Sequence, residues 1–226
     1  MGKVIKGNIG GMKRISFSRA RCGFTFVEML VILLVMFLLV AILLPALANA
    51  RAKSARIACT NNLKQLGLAF RTFAVDNADA FPMASATNQN VLKMLANGGN
   101  AYRFFLSMSN ELGSPYLLHC PFDKTRTAAT NWAALRDSSM SYFVSLDATE
   151  TEPQMILSGD SNLTTNGVPV KPGIVLLTTN IALGWTAERH GPGGNGNIVL
   201  GDGSVQQFSS ARFGRYSATT NRLLIP

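Results

Sequence analysis

Between Met29 and Ala50 the chain runs without a single charge: MLVILLVMFLLVAILLPALANA. As a helix rising about 1.5 Å per residue, this run reaches about 33 Å, against a bilayer hydrocarbon core of about 30 Å. It exceeds the apolar region of about 7–15 residues in an ordinary signal peptide. A segment of this kind predicts a membrane span, and the rest of the chain is then what hangs from it. A length of 226 residues suits one such span plus one modest globular domain. The chain is 47% hydrophobic with a positive mean hydropathy, and the excess is concentrated near the N-terminus.

The net charge of +9 points first toward nucleic acid, but its distribution argues otherwise. Lys3, Lys6, Lys13, Arg14, Arg19 and Arg21 precede residue 23, in a stretch without Asp or Glu. Without these six, 15 basic residues face 12 acidic ones, a balance of +3. A basic segment before an apolar run stays on the cytoplasmic side. Nucleic acid is therefore not expected as a partner, although Arg212, Arg215 and Arg222 cluster near the C-terminus.

Just before the apolar run stands Gly23-Phe24-Thr25-Phe26-Val27-Glu28. A carboxylate at the lip of a membrane helix is costly unless partnered. Cleavage after Gly23 gives Phe24 a free positive amine, a natural partner for a glutamate four residues along. The pair can form within one helix turn, or between subunits, where it sets axial register. Gly23, Phe24, Thr25 and Glu28, after a basic leader and before a long apolar helix, resemble the processing motif of type IV pilins and type II secretion pseudopilins. Pro45 matches a proline that this family tends to carry in its membrane helix. A proline there frees a carbonyl and permits a kink or local melting.

The resemblance implies a precursor cut after Gly23 by a prepilin peptidase, which also methylates Phe24. It implies assembly with other pilin or pseudopilin subunits through the helix, in a pilus or a type II secretion system. It implies a single-pass bacterial inner-membrane protein, N-terminus cytoplasmic and C-terminal domain periplasmic or extracellular, which can be extracted into a filament. The expected organisation is a leader over 1–23, a transmembrane helix over 24–50, a helix extension over 51–75 and a globular domain over 76–226. A rival is an ordinary secretory signal, since Ala46-Leu47-Ala48 resembles an A-x-A cleavage site. Cleavage after Gly23 discards Cys22 and leaves Cys59 and Cys120 outside the cytoplasm. An oxidising compartment permits a disulfide between them; two unpaired buried thiols are the alternative.

Beyond the span, Cys59, Leu63, Leu66, Phe70 and Phe73 recur at steps of four, three, four and three, one face of a continuing helix. Arg51, Lys53, Arg56, Lys64 and Arg71 are read as lying largely elsewhere. The segment from Cys59 to Ala69 resembles the one following the membrane helix in a bacterial group of pilin-like proteins. That group is known by a processing-associated H-x9-D-G motif and tends to carry Cys-Pro-x-Asp, here Cys120-Pro121-Phe122-Asp123. His190, Asp202 and Gly203 stand for the motif itself. Eleven residues rather than nine separate His190 from Asp202, the surplus lying in a glycine-rich loop.

Residues 76–140 read as loop-rich, with a turn at Asn97-Gly98-Gly99-Asn100 and short helices at Val91–Leu95 and Ala101–Met108. Met140–Leu146, Gln154–Leu157, Gly173–Thr178 and Asn197–Phe208 read as strands, the last folded into a hairpin at Gly201-Asp202-Gly203. The expected fold class is α+β: a long N-terminal helix packed on an antiparallel sheet, as in pilins.

The chain is not expected to be an enzyme. His119 and His190 are its only histidines, and it has no G-x-S-x-G elbow, HExxH or paired CxxC. His190 is read as structural. No cofactor is expected; the alternative is calcium, which the family resemblance brings in for some major pseudopilins. Asp160, Ser161, Asn162, Asn195, Asn197 and Asp202 are the oxygen-bearing residues available to it. An alternative function is a minor-pilin binding module for DNA, a glycan or an exported protein, with Tyr102, Arg103, Phe104 and Phe105 as its surface. A secreted soluble enzyme released after Ala48 is the third reading.

Overall fold

The computed structural model describes residues 23–87, 100–178, 181–190, 193–213 and 221–226. The basic leader, the Val91–Leu95 segment and most of the expected turn at 97–100 lie outside them. Helix α1 runs from Phe26 to Asp76. By contacts the chain divides into two compact units, 1–48 and 49–226.

In the first unit α1 is exposed along its whole length, and apolar side chains project on every side of it. A helix that is hydrophobic all round is stable only when buried in protein or lipid. It is long and apolar enough to cross a membrane.

The second unit is α+β. Short helices α2 (Tyr102–Ser107) and α3 (Ser109–Leu112) follow α1. Asp137 starts α2, its carboxylate accepting from the Asn100 and Tyr102 N–H groups. The strands are β1 (Tyr142–Ser145), β2 (Ile156–Asp160), β3 (Leu163–Thr165), β4 (Val168–Pro169), β5 (Gly173–Leu177), β6 (Leu183–Trp185), β7 (Asn195–Leu200), β8 (Val205–Ser209) and β9 (Asn221–Ile225). A one-turn helix, α4 (Ser210–Phe213), follows β8. Six strands form an antiparallel sheet ordered β5-β9-β1-β2-β7-β8, and β4-β3-β6 form a smaller one.

Strand alternation divides the core in two. Tyr142, Val144, Val199 and Leu224 join Cys59, Leu63, Leu66 and Phe70 of α1 in one cluster. Their neighbours Phe143, Ile198, Leu200, Leu223 and Ile225 point the other way, into a cluster with Leu163, Leu183, Trp185 and Phe213. The Trp185 and Phe213 rings stack there, 4.7 Å between centroids. The central sheet is thus covered on both faces, which explains why β1 is buried at every residue.

The helical face read from the sequence is the one that packs: Cys59, Leu63, Leu66 and Phe70 are buried and Phe73 is partly so. Arg56 corrects the reading of the cations. It stands three residues before Cys59 and so shares that face, and its guanidinium reaches the carbonyl of His190. Gly67 lets the β7–β8 turn approach: a Cβ there would stand 2.8 Å from Gly203 O and 2.9 Å from Val199 Cγ1. Gly203 itself needs its φ of +80°. Gly67→Ala should therefore lower stability by up to about 2 kcal/mol in denaturant titrations. Overpacking costs about 1–3 kcal/mol, against a helix-propensity gain of about 1 kcal/mol.

Candidate functional site

Two sets of residues carry chemistry, one at the start of α1 and one buried in the second unit. At the start, Gly23 is exposed and Phe24 is 74% exposed, so the bond between them is open to solvent. Thr25 and Glu28 close a reciprocal cap on α1. The Glu28 N–H donates to Thr25 Oγ1 at 3.2 Å, while Thr25 N–H and Oγ1–H donate to Glu28 Oε2 at 2.7 and 2.9 Å. This capping box satisfies helix donors that have no partner within the helix. Glu28 therefore has a local role that the sequence reading overlooked, although Thr25 three residues before a Glu is its signature. Cutting after Gly23 leaves every atom of the box in place. Further along, α1 continues through Pro45 without a break. Proline has no N–H to donate, so the Ala41 carbonyl lacks its usual partner.

The buried set is built where α1 meets the end of the sheet. Cys59 of α1 and Cys120 form a disulfide, 5.0 Å between Cα atoms, both fully buried. His190 lies against it, Nε2 3.9 Å from Cys120 Sγ and its ring 5.3 Å from that of Phe122. The same nitrogen is 3.1 Å from Asp160 Oδ2, and both side chains are wholly buried. That oxygen also accepts from Asn197 N at 2.7 Å and Asn197 Nδ2 at 2.9 Å. Asp160 lies opposite Tyr142 in the ladder, facing α1, with Asn197 two residues from Val199 on the same face. Burial first, then the charge of Asp160, push the Tyr142 phenol well up.

Arg189 turns to the Cys-Pro-Phe-Asp segment on the other side. Its guanidinium pairs with Asp123 and donates to Ser141 O and Ser161 Oγ, each at 3.2 Å. Asp123 also accepts from Thr125 Oγ1 at 2.6 Å, Ser141 Oγ at 2.8 Å and Arg126 Nη1 at 3.3 Å. Burial raises the Asp123 pKa, but the Thr125 bond, the Arg189 charge and the Ser141 bond outweigh it and hold it near 2. Burial lowers the Arg189 pKa, offset in part by Asp123. Adjacent residues thus take different ion-pair partners, Arg189 pairing with Asp123 and His190 with Asp160.

The structure does not pair His190 with Asp202. Asp202 sits in the β7–β8 turn, its Oδ1 accepting from Ser204 N at 2.8 Å and its carbonyl from Arg71 Nη1 at 3.0 Å. His190 and the Asp202-Gly203 turn fasten two different points of α1 to the sheet, one beside Cys59 and one beside Gly67. The oxygen-bearing residues weighed for calcium also separate. Asp160 and Asn197 bond to each other, Ser161 faces Arg126 and Arg189, and Asn162 Nδ2 reaches Thr186 O at 3.3 Å. Among the described residues, the His, Cys and acidic ligand atoms that converge are those of Cys59, Cys120 and His190.

The aromatic stretch weighed as a binding surface is mostly core. Phe104 and Phe105 are buried, and Tyr102 is covered in part with Arg136 stacked 5.6 Å over its ring. Of the C-terminal arginines, Arg222 is held by both oxygens of Asp147, Arg212 lies over the Phe208 ring at 5.0 Å, and Arg215 is outside the described residues.

No protein-family model, no curated protein and no solved structure matches this chain. A long apolar N-terminal helix followed by an antiparallel sheet is compatible with a pilin-like architecture. Any functional reading accordingly rests on the residues themselves.

Proposed function

We propose that this chain is a pilin-type filament subunit, processed after Gly23 and N-methylated at Phe24. The observation carrying the proposal is an all-round apolar helix that begins at an exposed Gly-Phe-Thr-x-x-Glu box and runs on, unbroken, into a folded α+β domain. A filament subunit uses such a helix twice, first in the membrane and then in the filament core. In this reading the leader stays cytoplasmic, the second unit lies outside the inner membrane, and the filament is a pilus or a type II secretion assembly. Glu28 turns from its cap toward the Phe24 amine of its own chain or a neighbour.

The deciding experiment is intact-mass and N-terminal peptide analysis of the protein from its native membrane. The expected mature chain starts at N-methylated Phe24. A chain starting after Ala48 or Ala50 overturns the proposal. Glu28→Ala separates assembly from capping. With only a capping role, membrane levels and filament yield change little. With the proposed role, membrane levels hold while filament yield falls at least about tenfold, the loss expected when about 1.4 kcal/mol per contact is removed.

A further inference from the structure

We propose that Cys59, Cys120 and His190 form a redox-gated site for a thiophilic divalent cation such as Zn²⁺, with Asp160 as fourth ligand. Oxidised, the two sulfurs are a disulfide; reduced, they bind the metal. The inference stands apart from the filament reading and concerns only the second unit.

The donor set is the first reason. Cys, Cys and His are the ligands of structural zinc sites, and a carboxylate completes a tetrahedron. Both sulfurs and a His190 ring nitrogen lie within 4.8 Å of one another, all buried. Geometry is the second. With Zn–S near 2.3 Å and Zn–N near 2.0–2.1 Å, tetrahedral ligands stand about 3.6 Å apart for a sulfur and a nitrogen. His190 Nε2 is already 3.9 Å from Cys120 Sγ, with Asp160 Oδ2 3.1 Å beyond it. Scission of the sulfur–sulfur bond frees both sulfurs, and Asp160, which lies outside the converging set, must then turn toward them and give up a bond from Asn197.

The third reason is a pair of atoms that the oxidised fold leaves idle. Asp160 Oδ1 and His190 Nδ1 are buried without a hydrogen-bond partner in the protein. A buried polar atom without a partner calls for an explanation, and here two of them flank the same ion pair. Metal at Nε2 moves the imidazole proton to Nδ1 and frees Asp160 to turn a carboxylate oxygen toward the cation. Charge balances as well. Two thiolates and a carboxylate leave one negative charge on a Zn²⁺ centre, and the Arg56 guanidinium is held beside it on the His190 carbonyl.

The chemistry closes with a dithiol reductant. It delivers two electrons and two protons, becomes a disulfide itself and leaves two cysteine thiols; the cation then displaces both thiol protons. Either state ties α1 to the Cys120 segment, so the joint survives a change of redox compartment.

The test uses the full chain in detergent and Co²⁺ as the spectroscopic probe. The chain is reduced with a water-soluble phosphine until the Cys59–Cys120 pair titrates as free thiols. Expected is a thiolate-to-cobalt charge-transfer band with tetrahedral d–d bands, saturating at a single equivalent per chain and erased by Zn²⁺. The oxidised chain and Cys59→Ser should lack the band. Asp160→Asn should bind at least about 10-fold more weakly, the smallest loss expected even for a residue that only supports a ligand. Zn²⁺ should also slow alkylation of the reduced wild-type thiols at least tenfold, a readout that needs no variant to fold. Reduced wild type without the band, or an undiminished band in Cys59→Ser/Cys120→Ser, overturns the proposal.

Discussion

Replacing Cys59 and Cys120 together by Ser should lower the stability of the folded domain by about 4 kcal/mol. The disulfide closes a sequence separation of 61 residues. In the chain-entropy account a loop of that size contributes about 4 kcal/mol by restricting the unfolded chain. The replacement hydroxyls would also be buried at fully covered positions, which adds to the loss. For a domain of this size the thermal midpoint should fall by about 10 °C. A shift of only a degree or two would mean that Leu63, Leu66 and Phe70 dock α1 without help from the bond. Phosphine reduction of the wild type should reproduce the drop without added metal, and Zn²⁺ should recover part of it if the reduced site forms.

Asp123→Ala should be comparably damaging, at about 3–5 kcal/mol. Removing one partner from a buried ion pair leaves the other charge uncompensated. Here the stranded group is Arg189, only 6% exposed. Arg126 loses a carboxylate oxygen at the same time, and the Thr125 and Ser141 hydroxyls lose their acceptor. The wild type should show the same dependence with acid. The Asp123 pKa is depressed in the fold, from 3.8 to about 2. Its contribution is therefore complete above the unfolded value and lost as pH falls through the folded one, between about pH 4 and pH 2. That shift corresponds to about 2 kcal/mol. Denaturant titrations of wild type and Asp123→Asn across this range should converge as the pH drops. Parallel curves would show that Arg189 does not depend on this carboxylate.

Much of the architecture was legible in the residues. The charge-free run announced the exposed apolar helix, and the four-three-four-three spacing announced its packed face. Apolar runs between turn signals found β1 and β5 and the β7–β8 hairpin around Gly201-Asp202-Gly203, while β2 was placed two residues early and continues to Asp160. The strands β3, β4, β6 and β9 escaped notice. Three of them hold only two or three residues, too few for a period to show, and β9 is defined by pairing between β1 and β5 rather than by its own pattern.

The polar sites divide the same way. Thr25 and Glu28 are neighbours on one helical turn, so their capping geometry follows from spacing alone. Asp160, Asn197 and His190 are brought together from β2, β7 and the loop before it, and Arg189 meets Asp123 across 66 positions. Local periodicity carries no information about such meetings. The sequence by itself determined the main elements: an apolar helix, a packed extension of it and the longer apolar strands. Only the tertiary structure decided the partners, giving His190 to Asp160 and the disulfide and giving Asp202 to the turn beneath Gly67. The reason is physical. Periodicity sets which face of an element is buried, whereas the partner of a buried charge is fixed by which strand ends the sheet order brings beside it.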